Sequence, residues 1–282
     1  MCNLKTMTYS EFWQPLTAVY DEGEARAVAQ MVMEVHFGLT MADVLCGRMG
    51  DEAELLQLQR RLLTGEPVQY VLGLAEFCGR QFHVEPGVLI PRPETEELCR
   101  WVIEVAERGK DRCTILDIGT GSGCIATTLA LDLLAQPASV VAWDLSDTAL
   151  LVARKNAERL GANVSFVKQD ALCPPDDQAC WDIIVSNPPY VCEHEKARME
   201  RNVLDYEPAE ALFVPDDDPL LFYRNIGHYA ARALKHGGSL LFEVNALHGN
   251  DTARLMAAMG FGHVETRTDL FGKERFVFAS KI

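Results

Sequence analysis

Between residues 9 and 72, apolar positions recur at helical spacing, first in Ala25, Val28, Met31, Val32 and Val35 and again in Leu55, Leu58, Leu62 and Leu63. This pattern predicts a small helical unit. Its punctuation is legible: Thr40 can cap a short helix through Val44 and Leu45 that Gly50 ends, and Asp51 can cap the next, which Gly65 closes. The period then shortens. Phe77, Phe82, Val84, Val88, Leu89 and Ile90, set among Gly79, Pro86 and Gly87, predict a β-hairpin over residues 76–90. Pro91 and Pro93 give an extended lead into a helix running to about Arg108, with Glu94 and Glu96 in the first turn, where acids complement the dipole. From Arg112 onward strands alternate with helices. Apolar strands are expected at 115–118, 140–143, 164–167, 183–185 and 239–244, which implies a parallel sheet with helices on both faces. An antiparallel pair, 261–266 and 275–279, closes the chain. After the fourth strand, residues 191–219 form an insertion rich in Glu, Arg, Asp and Pro, long enough to be a lid.

The resulting division is a helical domain over 1–75, a hairpin linker over 76–93 and an α/β domain over 94–282. For the helical domain, a recognition module and a packing unit with no ligand of its own are both open readings.

Candidate chemistry concentrates where the fourth strand stops. Residues 181–190 read WDIIVSNPPY: β-branched Ile183, Ile184 and Val185 suit a strand buried on both faces, and two successive prolines cannot continue a ladder. The strand must end at Ser186 or Asn187. At the carboxyl end of a parallel strand, Asn187 and Tyr190 would face a ligand crevice. The Asn187 carbonyl and the backbone carbonyls before each proline are acceptors, which suits a substrate carrying an NH2 group. The alternative is an ordinary proline turn.

The first strand runs into Gly119-Thr120-Gly121-Ser122-Gly123. Gly121-x-Gly123-x-x-Ala126 formally satisfies a dinucleotide pattern, whereas a Walker loop is excluded because no Gly-Lys-Ser/Thr follows. The second strand ends at Asp144, where an acid can accept hydrogen bonds from two ribose hydroxyls. The third ends at Asp170, beside Ala171, placed to meet an adenine amine. The competing role for these acids is helix capping, for which Asp147 is better placed than Asp144. Arg92, between two prolines, ordinarily pairs with Glu94 or Glu96.

Composition narrows the partners. With 26 Lys+Arg against 41 Asp+Glu the net charge is -15, which disfavours attraction to phosphate backbones or anionic lipid. Over 1–75 the same counts, 5 basic and 10 acidic, give -5, so no basic surface marks a nucleic-acid role there. Nine dispersed cysteines without a C-x-x-C pair read as reduced thiols and suggest no metal. No apolar run reaches membrane-spanning length and the amino terminus lacks signal-peptide order, so a cytoplasmic location is expected.

Taken in order, the D-x-G-x-G-x-G turn beginning at Asp117, the acid Asp144 and Asn187-Pro188-Pro189-Tyr190 resemble the amino-methyltransferases of class I. Within them the chain resembles the HemK/PrmC-like protein-(glutamine-N5) methyltransferases. The resemblance rests on GEPVQYVLG at 65–73, AEFCGRQFHVEPGVLIPRPETEEL at 75–98, ILDIGTGSGCIA at 115–126, VSNPPY at 185–190, Tyr206-Glu207-Pro208 with Ala211-Leu212, and His236-Gly237-Gly238. PRPETE together with NPPY separates this family from the DNA amino-methyltransferases. One departure is Glu243-Val244-Asn245, where the family usually has Glu-Ile-Gly.

The resemblance implies a Rossmann-like, seven-stranded S-adenosylmethionine-dependent methyltransferase sheet whose last strand is antiparallel. A small N-terminal helical domain would help recognise the substrate, a class I peptide-chain release factor methylated at the glutamine of its Gly-Gly-Gln motif. By the same resemblance Gly119, Thr120, Gly121, Ser122 and Gly123 cradle the methionine part of S-adenosyl-L-methionine, Asp144 holds the ribose, and Asp170 and Ala171 meet the adenine. Asn187 borders both ligands. Asn187 and Pro188 accept the amide N–H bonds, with Pro189 and Tyr190 packing around the amide. S-adenosyl-L-homocysteine is the expected product. Three alternatives stay open: a nucleic-acid methyltransferase using the same clamp on a flipped base, a dehydrogenase, and a non-catalytic cofactor-binding module.

Overall fold

The structure is a computed structural model and describes residues 7–109, 112–133 and 138–282. Cys2 lies outside the described residues. The chain forms two compact units, one of residues 1–74 with 200–206 and one of residues 75–199 with 207–282.

In the first unit, Thr40 caps the helix Met41–Leu45 and Asp51 caps Glu52–Leu63, each accepting from backbone N–H groups of the first turn. Two apolar assignments differ from the expected face. The helix Glu22–Met31 runs on into a wider π-type turn over Val32–His36. Within that turn Val32 and Met33 are fully buried, whereas Met31, which precedes it, is 37% exposed. Leu63 is also exposed, while Gln59 is buried because its amide donates to the carbonyls of Glu11 and Phe12.

The second unit begins with a hairpin, β1 (Leu74–Phe77) and β2 (Arg80–His83), which turns at Cys78 and Gly79, both at positive φ. The hairpin is shorter than expected, since residues 84–90 are irregular. Its main sheet is built from β3 (Thr114–Ile118), β4 (Ser139–Asp144), β5 (Val164–Lys168), β6 (Trp181–Ser186), β9 (Leu234–Glu243), β10 (Val264–Thr268) and β11 (Glu274–Ser280). The short pair β7 (Val191–Cys192) and β8 (Phe213–Val214) stands apart.

The main sheet has the order β10-β11-β9-β6-β3-β4-β5. Strand β11 is antiparallel to both neighbours and the remaining pairs are parallel. Successive residues face opposite layers. Ile115, Ile183 and Val185 join Leu98, Leu129 and Leu150 on one side, while Leu116 and Ile184 join Tyr223, Ile226 and Met256 on the other. Burial on both faces explains why β3 and β6 read as continuous apolar runs.

The insertion after β6 is folded. Val191 and Cys192 pair in parallel with Phe213 and Val214, with short helical turns between them.

Candidate active site

The chain order changes direction between β3 and β6, and at the carboxyl ends of these strands lies a cavity of about 720 Å³. It is lined by Gly119, Thr120, Gly121 and Ser122 after β3, Asp144 at the end of β4, Asp170 and Ala171 after β5, and Asn187, Pro188 and Pro189 after β6. Gly123 and Tyr190 are not in the lining.

The glycine turn is fixed by backbone. The N–H groups of Gly119 and Thr120 both donate to the Trp143 carbonyl, at 2.9 Å each. The N–H of Gly121 donates to the Asp144 carboxylate at 2.8 Å, and the second carboxylate oxygen accepts from the Ser146 N–H at 2.9 Å. At Gly121, φ is +56 and a Cβ would meet nothing within 4 Å, so its missing side chain leaves open cavity above a left-handed backbone. Gly123 differs: a Cβ there would lie 2.9 Å from the Ala153 Cβ, so this glycine lets the turn pack on the helix Asp147–Leu160.

That helix is capped by Ser146, whose hydroxyl accepts from the Ala149 N–H, and not by Asp147. Asp147 instead pairs with Lys168. Burial raises the Asp144 carboxyl above its ordinary range, against the lowering effect of its backbone donors. Asp170 accepts from the Leu172 N–H at 2.8 Å, an Asx-type turn that presents Ala171 to the cavity.

Asp117, at the head of the turn, is a further residue of the site. It is fully buried, accepts the Thr120 hydroxyl at 2.6 Å, and burial pushes its carboxyl up to about 7. It braces the turn from below. Its place at the head of D-x-G-x-G-x-G was the available signal.

At the end of β6, the buried Ser186 hydroxyl donates to the Ile118 carbonyl at 2.6 Å and ties the two strand ends together. The Asn187 amide nitrogen donates to the Thr95 hydroxyl at 3.2 Å. Thr95 donates in turn to the Glu243 carboxylate at 2.7 Å, and the other oxygen of Glu243 accepts the Tyr190 hydroxyl at 3.1 Å. Tyr190 therefore has its hydroxyl turned into the protein. Burial, then the Glu243 charge, raises its phenol far above the ordinary value, so it stays protonated and is no proton acceptor.

Arg92 pairs with neither Glu94 nor Glu96. It donates to Glu207 at 2.6 Å, and Glu207 also accepts from the Ile90 N–H at 3.1 Å. The departure at Asn245 is accommodated without positive φ. Its amide donates to the Tyr190 carbonyl and to Glu195, and its oxygen accepts from the Leu247 N–H.

A Gly-rich turn after the first strand, an acid at the tip of the second and a polar turn after the fourth define a class I methyltransferase. Solved structures agree on the fold: a methyltransferase from Pyrococcus furiosus superposes over 80% of this chain and 98% of its own, with a TM-score of 0.52 at 18% identity. A Thermus thermophilus 16S rRNA methyltransferase, solved in complex with AdoMet and guanosine, covers 74% of this chain and 50% of its own, with a TM-score of 0.52 at 23% identity. The family model described as a methyltransferase domain matches residues 109–255.

Among curated proteins, the release factor glutamine methyltransferase of Bacteroides thetaiotaomicron is 44% identical over 95% of this chain and 97% of its own length. Those of Flavobacterium psychrophilum and Neisseria gonorrhoeae are each 41% identical over 95% of this chain and 96% of their own. The chain belongs to the release factor glutamine methyltransferase family.

Proposed function

We propose that the protein transfers a methyl group from S-adenosyl-L-methionine to the side-chain amide nitrogen (N5) of the glutamine in the Gly-Gly-Gln motif of a class I peptide-chain release factor. The observation that carries this reading is the placement of Asn187 and Pro188 in the same cavity as the glycine turn and Asp144. Relatives of that name along nearly the whole chain support the choice of substrate.

The cavity fits the cofactor. Its volume suits a nucleoside-bearing ligand, the Gly121 backbone leaves room for close approach, and both Asp144 oxygens already accept one backbone N–H each with capacity for a ribose hydroxyl. Gly119, Thr120, Gly121 and Ser122 would hold the methionine part, Asp170 and Ala171 the adenine side. When bound, S-adenosylmethionine supplies an electrophilic methyl on a positively charged sulfur and departs as S-adenosyl-L-homocysteine.

A glutamine amide nitrogen is a weak nucleophile because its lone pair is delocalised into the carbonyl. The chain's task is to hold that nitrogen by its N–H bonds, on the Asn187 side-chain oxygen and the Pro188 carbonyl, so that its lone pair points at the methyl carbon. A new N–C bond forms, the electron pair of the broken C–S bond returns to sulfur, and the nitrogen sheds a proton to water. No side-chain base is required, since N-alkylation makes that proton strongly acidic. In this proposal the helical residues 1–75 contribute binding to parts of the release factor remote from its glutamine.

Two measurements test the reading. S-adenosylhomocysteine should raise the melting temperature and NAD should not; a ligand at a hundred times its Kd adds about 2.7 kcal/mol. Methyl-labelled cofactor should transfer label to a release factor and not to RNA or DNA. Stabilisation by NAD, or label on nucleic acid, would overturn it.

A further inference from the structure

We propose that Thr95 and Glu243 are positioning residues that fix which way the Asn187 amide points, and thereby make the site select a substrate that brings N–H donors, an amide over a carboxylate. This rests on the function proposed above, in which Asn187 receives the substrate nitrogen.

Burial raises the Glu243 carboxyl, against the lowering effect of the Thr95 hydroxyl, the Arg275 charge and the Tyr190 hydroxyl; in its ionised form it accepts and cannot donate. Glu243 ends β9, fully buried, one step beyond the pairing of Ser186 with Phe242, which sets it level with Asn187 across the sheet. Its two oxygens take the single hydroxyl protons of Thr95, at 2.7 Å, and Tyr190, at 3.1 Å. With its only proton committed to Glu243, the Thr95 oxygen can only accept from Asn187. The Asn187 NH2 must therefore face Thr95, as it does at 3.2 Å, and its oxygen is turned away. The two ends of a carboxamide are nearly equal in size, so packing alone does not choose between them; the Thr95 hydroxyl, whose proton is held by Glu243, does.

Thr95 is rigidly placed for this. It is 3% exposed, lies in the first turn of the helix Pro93–Glu107, and borders the cavity beside Asn187. A threonine hydroxyl free of Glu243 would be able to donate to the Asn187 oxygen, which would turn the NH2 outward. The site would then offer donors and would suit a carboxylate.

The test uses the full-length protein with Thr95→Val, which keeps shape and removes the hydroxyl, Thr95→Ser, which keeps the hydroxyl, and Glu243→Gln, which keeps shape and removes the charge. Thr95→Val and Glu243→Gln should each lower kcat on a release factor by roughly tenfold to a hundredfold, the scale of a mispositioned reacting group. Their affinity for S-adenosylhomocysteine should stay that of the parent, which also reports folding. Thr95→Ser should recover most of the rate. Full rate in Thr95→Val, or equal loss in Thr95→Ser, would overturn the proposal.

A second readout needs no substrate. The Asn187 side-chain amide resonance, identified by its disappearance in Asn187→Asp, should exchange with deuterium faster in Thr95→Val than in the parent, and an unchanged rate would overturn the proposal. If the parent labels no release factor while this exchange rate changes, the proposed substrate fails and the network stands.

Discussion

The Gly121 N–H donates to the Asp144 carboxylate at 2.8 Å, so the acid that ends β4 and the turn that follows β3 are one unit. The side chain proposed to hold the ribose therefore also fixes the glycine turn. Asp144→Ala should weaken S-adenosylhomocysteine binding by about 1.5–3 kcal/mol, the range for lost hydrogen bonds to a charged acceptor. The melting temperature should change little, because removing the acid also removes a buried charge. Calorimetric titration of variant and parent decides; equal affinities would remove Asp144 from the cofactor site.

Asn187→Ala separates binding from chemistry. In the proposed reaction its side-chain oxygen receives the reacting amide, so turnover should fall on the order of a hundredfold or more while cofactor affinity is nearly kept. Single-turnover rates at saturating cofactor make the comparison. Undiminished turnover would make Asn187 a turn residue only.

Asp117 gives a pH signature. Its carboxyl is raised by burial to about 7, against an ordinary 3.8. Between those values the folded protein holds a proton that the unfolded chain releases, so this group's contribution to stability is lost as pH rises through the window. Asp117→Asn, which cannot ionise, should lack that loss. Relative to the variant, the parent should be less stable at about pH 8 than at about pH 5, by a few kcal/mol at roughly 1.4 kcal/mol per unit. Denaturation curves at both values check this, and a difference independent of pH would contradict it.

Arg92, which lines the cavity, is ion-paired to Glu207, whose side chain is 1% exposed. Arg92→Ala leaves that carboxylate with the Ile90 N–H alone, which should cost about 3 kcal/mol of stability. Adding Glu207→Gln should restore part of it. An additive double variant, measured by urea denaturation, would show that the two residues act independently.

How much of this was legible depended on range along the chain. The strands announced themselves because β3 and β6 are buried on both faces and so read as unbroken apolar runs. The glycine turn and Asn187-Pro188-Pro189-Tyr190 are local motifs whose backbone demands are written in adjacent residues. The partners of Arg92 and Thr95 were not legible: Glu207 and Glu243 stand 115 and 148 positions away, and only the tertiary fold brings them near. The cap at Ser146 was not legible because Asp144, Ser146 and Asp147, three polar residues within four positions, all qualify by type. Tyr190 was expected to face the crevice, and nothing in NPPY reveals that a buried acid from β9 holds its hydroxyl. The folded insertion was missed because two-residue strands carry no periodicity.

The central claim is that the cavity methylates an amide nitrogen held through its N–H bonds. The direct measurement is peptide mass spectrometry of a release factor incubated with the protein and S-adenosylmethionine, beside a release factor whose Gly-Gly-Gln glutamine is replaced by glutamate. The account predicts one added methyl on that glutamine and none anywhere on the glutamate form, since a carboxylate offers no N–H to Asn187. A methyl on the glutamate form, or on another residue of either protein, would contradict it.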